Sequence, residues 1–495
     1  MTATLPFWAR PLSLTVFLFA VVAAKLALAA STELVADEAY YALWSLYPSL
    51  GYHDHPPMIA WLMWIGQFFA GENELGVRLA AALGILPVAA ALYRMGEILF
   101  GDARTGALAA IWYVFTPAGV IGFEIATPDV PSVIFWTLAI WSAAEFTRSR
   151  NANWWLAIGL FAGLGLLSKY TNLLFGAGLL LWLVTSADRR AWFRVPQLWL
   201  GGLVAALVWA PNIWWNAQNG WATFRLQFGR SANILDGGSG NWAAFLPSQL
   251  FIVLPPLALL ALIAIVISQR KSPHRDGASL LALTSLPLLL YFTLHSFFGT
   301  VQANWTMPVW PSLALLAAAL ALSPPAQALA RNAIRTLAAL QLPLGVLLTL
   351  GIYAQALSPF VEIAGVGRTA ELHGWRDLAR KVAAEADAAG ATWIATSNDY
   401  ADHAHLAFYL RAIGDPRPVR EIAQLYRYRY RLPVDDEAFA NAPALFVMGV
   451  NPDNVPDRPD IRFDRLELRT TVSRDWGRPR AWFALYAAEG LLSGG

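Results

Sequence analysis

A run of about 20 mostly apolar residues is long enough to cross the hydrocarbon core of a bilayer. This chain repeats such runs from residue 11 to residue 356. No other feature restricts the fold as strongly, because in lipid the backbone N–H and C=O groups must be paired within the chain, and long apolar runs meet that demand as helices. A scan with this length predicts about eleven spans, at 11–30, 76–99, 105–118, 129–146, 154–168, 170–186, 197–213, 246–269, 278–295, 305–322 and 336–356. The break between the fifth and sixth falls at Ser168-Lys169. Only 14% of the residues are charged, against roughly 25% in a soluble domain. The expected fold class is a polytopic α-helical membrane protein.

The charges are unevenly placed. Lys, Arg, Asp and Glu number 36 from Phe360 onward and 32 before it. A boundary near Ser358-Pro359 therefore divides a transmembrane domain, 1–358, from a soluble C-terminal domain, 359–495. The tail reads as mixed α/β: "GWRDLARKVAAEADAAG" and "DYADHAHLAFYLRAIGD" have helical spacing, and "ATWIATSND" and "APALFVMGV" read as short strands. The chain has no cysteine, which excludes disulfides, thiolate metal sites and cysteine nucleophiles. A net charge of +2 without a basic stripe gives no reason to expect a nucleic-acid partner.

Orientation follows from where Lys and Arg fall. Loops containing "DARTG", "TRSRNAN", "DRRAWFR", "QRKSPHRD" and "ARNAIR" alternate with loops poor in cations. The cation-rich set is expected on the cytoplasmic side, and an odd number of spans then puts the tail outside. Arg10, the first apolar run and "LALAAS" also fit a cleavable signal peptide, although the run is nearer a full span in length.

The outward loops hold Glu33, Asp37, Glu38, Asp54, Glu72, Glu74, Glu124, Asp129 and Asp236. Glu33, Glu72, Glu74 and Asp236 read as ordinary solvated loop acids. Asp37, Glu38, Asp54 and Asp129 differ, because aromatics and prolines flank them near predicted helix ends, where an idle acid is disfavoured. For Asp129, in "ATPDVPSVIFWTL", a helix-start role through the N-terminal dipole is the competing explanation. Asp37 has the same competitor, as a cap for a short interfacial helix.

These motifs resemble the polytopic GT-C glycosyltransferases that take sugar from a polyprenyl phosphate, in the protein mannosyltransferase and lipid A aminoarabinose transferase group (glycosyltransferase family 39-like). The group's first outward loop carries an Asp-Glu pair, matched by Asp37-Glu38 in "ADEAYY". An acidic-basic-Pro-Pro element follows, matched by Asp54-His55-Pro56-Pro57 in "YHDHPPMIAWL", and Asp129 in "TPDVP" matches an acid of the second outward loop. "GLLSKYTNLLF", "APNIWWNAQNGW" and "NWTMPVWPSLALL" add support. The resemblance covers roughly 1–330. It implies a bacterial inner-membrane enzyme with a periplasmic C-terminal domain, a polyprenyl-phosphate sugar as donor, and an envelope lipid, glycan or protein as acceptor.

Such a transfer needs a carboxylate near the acceptor hydroxyl as general base and a cation or metal on the departing phosphate. It needs no nucleotide cofactor. Asp37 is the expected base of an inverting single displacement, with Glu38 and Asp129 as the other catalytic candidates. Asp54, His55, Tyr40, Tyr41, Lys169, Arg225 and Arg230 are the donor and phosphate candidates. The aminoarabinose transferases have a phosphate-contacting Lys where this chain has His55, so the phosphate charge falls to another cation such as Lys169, Arg225 or Arg230, or to a divalent ion (Mg²⁺, Mn²⁺ or Zn²⁺) held by His53, Asp54 and Asp129. A transporter or flippase of a lipid-linked sugar is the alternative. It would place charges near the membrane midplane and often show inverted repeats, whereas here the best carboxylates lie in loops and no internal repeat is visible.

Overall fold

The computed structural model of the chain describes residues 5–232, 239–268, 274–358, 368–397, 400–428, 430, 439–459, 461 and 463–491, without the side chains of 230–232 and 368. Among the described residues, seven helices are long and apolar enough to cross a membrane: Pro11–Ser31, Glu74–Phe100, Asp129–Ser149, Pro196–Gln218, Arg275–His295, Ala303–Leu322 and Ala328–Leu357. Two further pairs, Tyr170–Val184 with Ala187–Arg194 and Trp242–Ile252 with Pro255–Ile267, bend by 117° and 97° at short breaks, and counting each as one span gives nine.

The difference from eleven has local causes. The predicted span 105–118 is a helix of 12 residues, Ala103–Val114, followed by the four-residue helix Pro117–Val120. Pro117 disfavours helical backbone at the residue before it. Thr116 accordingly turns extended, and its side chain accepts from the Gly119 N–H. Trp154–Ser168 is apolar but has only 15 residues. It ends where predicted, with Lys169 extended at φ −157°, ψ 132°. One apolar helix lies outside the predicted spans, Met58–Ala70, whose 13 residues are fewer than a bilayer requires.

The chain forms two compact units. The first comprises Met1–Leu26, Asp54–Ile59 and Ala80–Tyr353. In it Asp129–Ser149 packs on Trp154–Ser168, which packs in turn on Pro196–Gln218. Glycines set the closeness of the second crossing: a Cβ on Gly159 would lie 1.9 Å from the Gly201 carbonyl oxygen, and one on Gly201 would lie 2.3 Å from that of Trp155. Small residues at helix crossings are the usual route to tight packing in lipid.

The second unit comprises Ala27–His53, Ala60–Leu79 and Ala354–Gly495. Its five strands are β1 (Trp393–Thr396), β2 (Val419–Glu421), β3 (Ala444–Val450), β4 (Phe463–Trp476) and β5 (Arg478–Leu491). They form one mixed sheet in the order β2-β1-β3-β5-β4. The β1 pairings are parallel, and the β3–β5 and β4–β5 pairings antiparallel. Trp393, Phe446, Phe463 and Tyr486 fill one core cluster. The helices Trp375–Ala388 and Tyr400–Ala412 and strands β1 and β3 fall on the four segments read from the sequence.

Candidate active site

The second unit holds the Asp37-Glu38 pair, in the first turn of the helix Ala36–Ser45. Neighbours in a helix point about 100° apart, and here they meet different partners. Glu38 is fully buried. Its oxygens accept from Arg78 Nε at 2.8 Å and Nη2 at 2.6 Å, and Oε2 also accepts from the Val35 N–H at 3.1 Å. Arg78, itself 1% exposed, donates further to Thr32 O at 3.0 Å, Thr32 Oγ1 at 2.8 Å and Glu33 O at 2.8 Å. This two-pronged ion pair ties the helix start to the preceding chain.

Asp37 is half-buried, and its Oδ1 accepts from the Tyr400 hydroxyl at 3.0 Å. Aromatic rings line this part of the unit. Tyr40 meets Tyr400 edge-on at 5.2 Å, Trp44 stacks on Tyr52 at 4.4 Å, and Tyr41 lies 4.7 Å from Trp44. His53 lies against Tyr426 at 4.8 Å. The acids read as solvated loops are engaged. Glu33 accepts from the Trp375 and Arg376 N–H groups at 2.6 and 3.0 Å, capping the helix Trp375–Ala388. Burial raises its carboxyl above the ordinary value, against the lowering by those two donors. Glu74 pairs with Arg376 at 2.7 Å and Glu72 with Arg411 at 2.6 Å. Asp236 lies outside the described residues.

The first unit holds Asp129, at the start of Asp129–Ser149 and 4% exposed. Lys169 Nζ donates to its Oδ1 at 2.7 Å, and Asn304 Nδ2 donates to its Oδ2 at 2.8 Å. The lysine sits at the extended break after Trp154–Ser168, with Nζ 5.8 Å from the Trp305 ring centre. Around it Asn172 Nδ2 donates to Ser132 Oγ at 2.5 Å, Tyr170 Oη to Asn212 Oδ1 at 2.7 Å, and Asn216 Nδ2 to Tyr170 Oη at 3.1 Å. The segments "GLLSKYTNLLF", "APNIWWNAQNGW" and "NWTMPVWPSLALL" thus contribute Lys169 with Tyr170 and Asn172, Asn212 with Asn216, and Asn304 with Trp305. They build one buried polar patch.

The remaining candidates are placed as follows. Asp54 is buried, and its backbone oxygen accepts from Gln227 Nε2 at 2.6 Å. His55 is half-buried, and Arg225 is exposed on the helix Ala222–Ala232. The Arg230 side chain lies outside the described residues. Among the described residues no group of three or more His, Asp or Glu side chains is placed to hold a metal ion.

The chain resembles known proteins along most of its length. Residues 54–215 match the family described as dolichyl-phosphate-mannose-protein mannosyltransferase. The lipid A galacturonosyltransferase RgtD of Rhizobium johnstonii is 28% identical over 291 residues, 58% of this chain and 60% of that protein. The undecaprenyl phosphate-alpha-4-amino-4-deoxy-L-arabinose arabinosyl transferase 2 of Pseudomonas fluorescens is 27% identical over 342 residues, 62% of this chain and 59% of that protein. The matches therefore span about three fifths of these curated relatives. The crystal structure of ArnT from Cupriavidus metallidurans bound to undecaprenyl phosphate superposes with a TM-score of 0.67 at 18% identity, over 96% of this chain and 98% of that one. The fold is that of a multi-pass membrane protein of the GT-C type. Over about three fifths of its length the chain is similar to these two sugar transferases.

Proposed function

We propose that this protein transfers a sugar from a polyprenyl-phosphate donor to a hydroxyl of an envelope lipid, glycan or protein. The relatives' names favour undecaprenyl phosphate as the carrier and lipid A as the acceptor class. In a single displacement the acceptor oxygen bonds to the anomeric carbon as the bond from that carbon to the phosphate oxygen breaks, inverting the centre. The proton of the acceptor passes to Asp37, and polyprenyl phosphate leaves with the bonding electrons. Asp54, His55 and Lys169 serve the donor phosphate, Lys169 as the cation. Charge stabilisation of this kind is strongest in a water-poor site, and Lys169 is 7% exposed.

The observation that carries the reading is the hydrogen bond from Tyr400 to Asp37 Oδ1 at 3.0 Å, which orients a half-buried carboxylate in the first turn of the helix Ala36–Ser45. The direct test supplies purified protein in liposomes with radiolabelled polyprenyl-phosphate sugar and an envelope acceptor. Label in the acceptor supports the reading. Movement of the lipid-linked sugar across the bilayer without transfer would replace it with a flippase. Normal kinetics in His55→Ala would remove that residue from the site. Activity that survives excess chelator assigns the phosphate to side chains alone, whereas loss restored by Mg²⁺ or Mn²⁺ adds an ion.

We also propose that the C-terminal segment is periplasmic. The parity of the cation-rich loops is supported by their neighbours within the first unit. Arg189 lies 3.7 Å from Asp276, Phe146 lies 4.5 Å from Trp192, and Phe100 lies 5.8 Å from His274. These contacts join loops expected on one side. The chain lacks cysteine, so single introduced cysteines report sidedness cleanly. A tail cysteine shielded from an impermeant reagent in cells with a permeabilised outer membrane would reverse the assignment.

A further inference from the structure

We infer that Tyr400, carried by the C-terminal α/β segment, is a positioning residue for the Asp37 carboxylate. This inference rests on the reading of Asp37 as the base. The two residues are 363 positions apart in the chain and belong to the same compact unit. The Tyr400 ring is fixed from two sides, edge-on by Tyr40 at 5.2 Å and by the Arg427 guanidinium 5.1 Å from its centre. Its hydroxyl then reaches Asp37 Oδ1 at 3.0 Å.

The rest of the same helix grips the chain just before Asp37. A His405 ring nitrogen lies 2.9 Å from Leu34 O, and Tyr409 Oη accepts from the Leu34 N–H at 2.7 Å. From outside that helix, Glu371 Oε2 accepts from the Ala36 N–H at 2.9 Å. The backbone of 34–36 is thus held by side chains, and Tyr400 adds a bond to the Asp37 side chain itself. An aspartate turning about its own side-chain bonds loses the aligned geometry that makes an attack efficient. The phenol hydrogen bond fixes the orientation of the carboxylate. The C-terminal segment is on this account part of the catalytic apparatus as well as a folded appendage.

The test is Tyr400→Phe in the full-length protein, which keeps the ring packing and removes the hydroxyl. Loss of one hydrogen bond to a charged group should lower kcat about 10- to 100-fold, with donor and acceptor KM within about twofold of wild type. In the Asp37→Asn background the same change should cost nothing further, because residues acting as a unit are non-additive. Wild-type kcat in Tyr400→Phe would overturn the inference, and so would a loss that adds fully to that of Asp37→Asn. Wild-type turnover in Asp37→Asn alone would remove the base reading and this inference with it. Loss of activity in Asp37→Asn beside normal kinetics in Tyr400→Phe would remove only this inference.

Discussion

The two acidic centres of this protein are held by different groups. In the first unit Asp129 is clamped by a buried lysine and an asparagine. In the second, Asp37 accepts from the hydroxyl of Tyr400, and its neighbour Glu38 is gripped by Arg78 in a buried ion pair. Adjacent acids of one motif can thus be built into different jobs: on the reading proposed above Asp37 takes the proton, while Glu38 anchors the helix start.

The largest expected effect concerns Glu38. Arg78→Met leaves a buried carboxylate without its guanidinium partner, and breaking such a pair costs about 3–5 kcal/mol. The melting temperature in detergent should drop sharply. An unchanged melting point would show that Glu38 is not a structural anchor and would return it to the catalytic candidates. The next concerns Asp129. Replacing both charges, Asp129→Asn with Lys169→Met, avoids an orphaned charge, so the protein should stay folded and monodisperse. Donor KM should rise about 10- to 100-fold for loss of one charge-assisted contact. Unaltered donor KM would break the comparison by taking the phosphate role from Lys169.

A smaller effect lies in the unit that carries Asp37. Burial pushes the His405 ring down to about 3 from 6.5, with Arg474 also lowering it and the carbonyls of Leu34 and Ala401 opposing. The folded ring stays neutral where the unfolded one takes a proton. The stability it contributes is therefore complete above about 6.5 and is lost as pH falls toward 3, by about 1 kcal/mol per pH unit. Melting curves between pH 7 and pH 5 should show this slope, and His405→Asn should flatten it. An equal slope in that variant would place the acid sensitivity elsewhere.

Much of the first unit was legible in the sequence, because its spans are set by apolar length and one break by Lys169; the break at Pro117 was read through, as part of the span 105–118. The strand β4 was not. Its register shifts between Leu468 and Thr470 and again between Arg474 and Asp475, and such irregularities interrupt the alternation of period two that marks a strand. Of the site, Asp37, Asp129 and Lys169 could be picked out, since acids beside helix ends and a cation at a helix break are conspicuous in an apolar chain. Arg78 also left a signal, as one of two arginines, with Arg94, inside the predicted span 76–99. Tyr400 left none, because a tyrosine in an α/β tail is ordinary until folding brings it to Asp37. Glu33, Glu72 and Glu74 looked idle for the same reason, as their partners lie some 300 residues or more further along the chain.

The central claim is that Asp37 takes the acceptor's proton. Asp37→Asn keeps a side-chain oxygen able to accept from Tyr400, and it removes the base. Transfer measured from radiolabelled polyprenyl-phosphate sugar should fall about 10²- to 10⁴-fold, while the melting temperature stays within what about 1 kcal/mol of charge–dipole energy at a helix start can move. Wild-type turnover in this variant would contradict the account and leave Asp37 as a first-turn acid of the helix Ala36–Ser45.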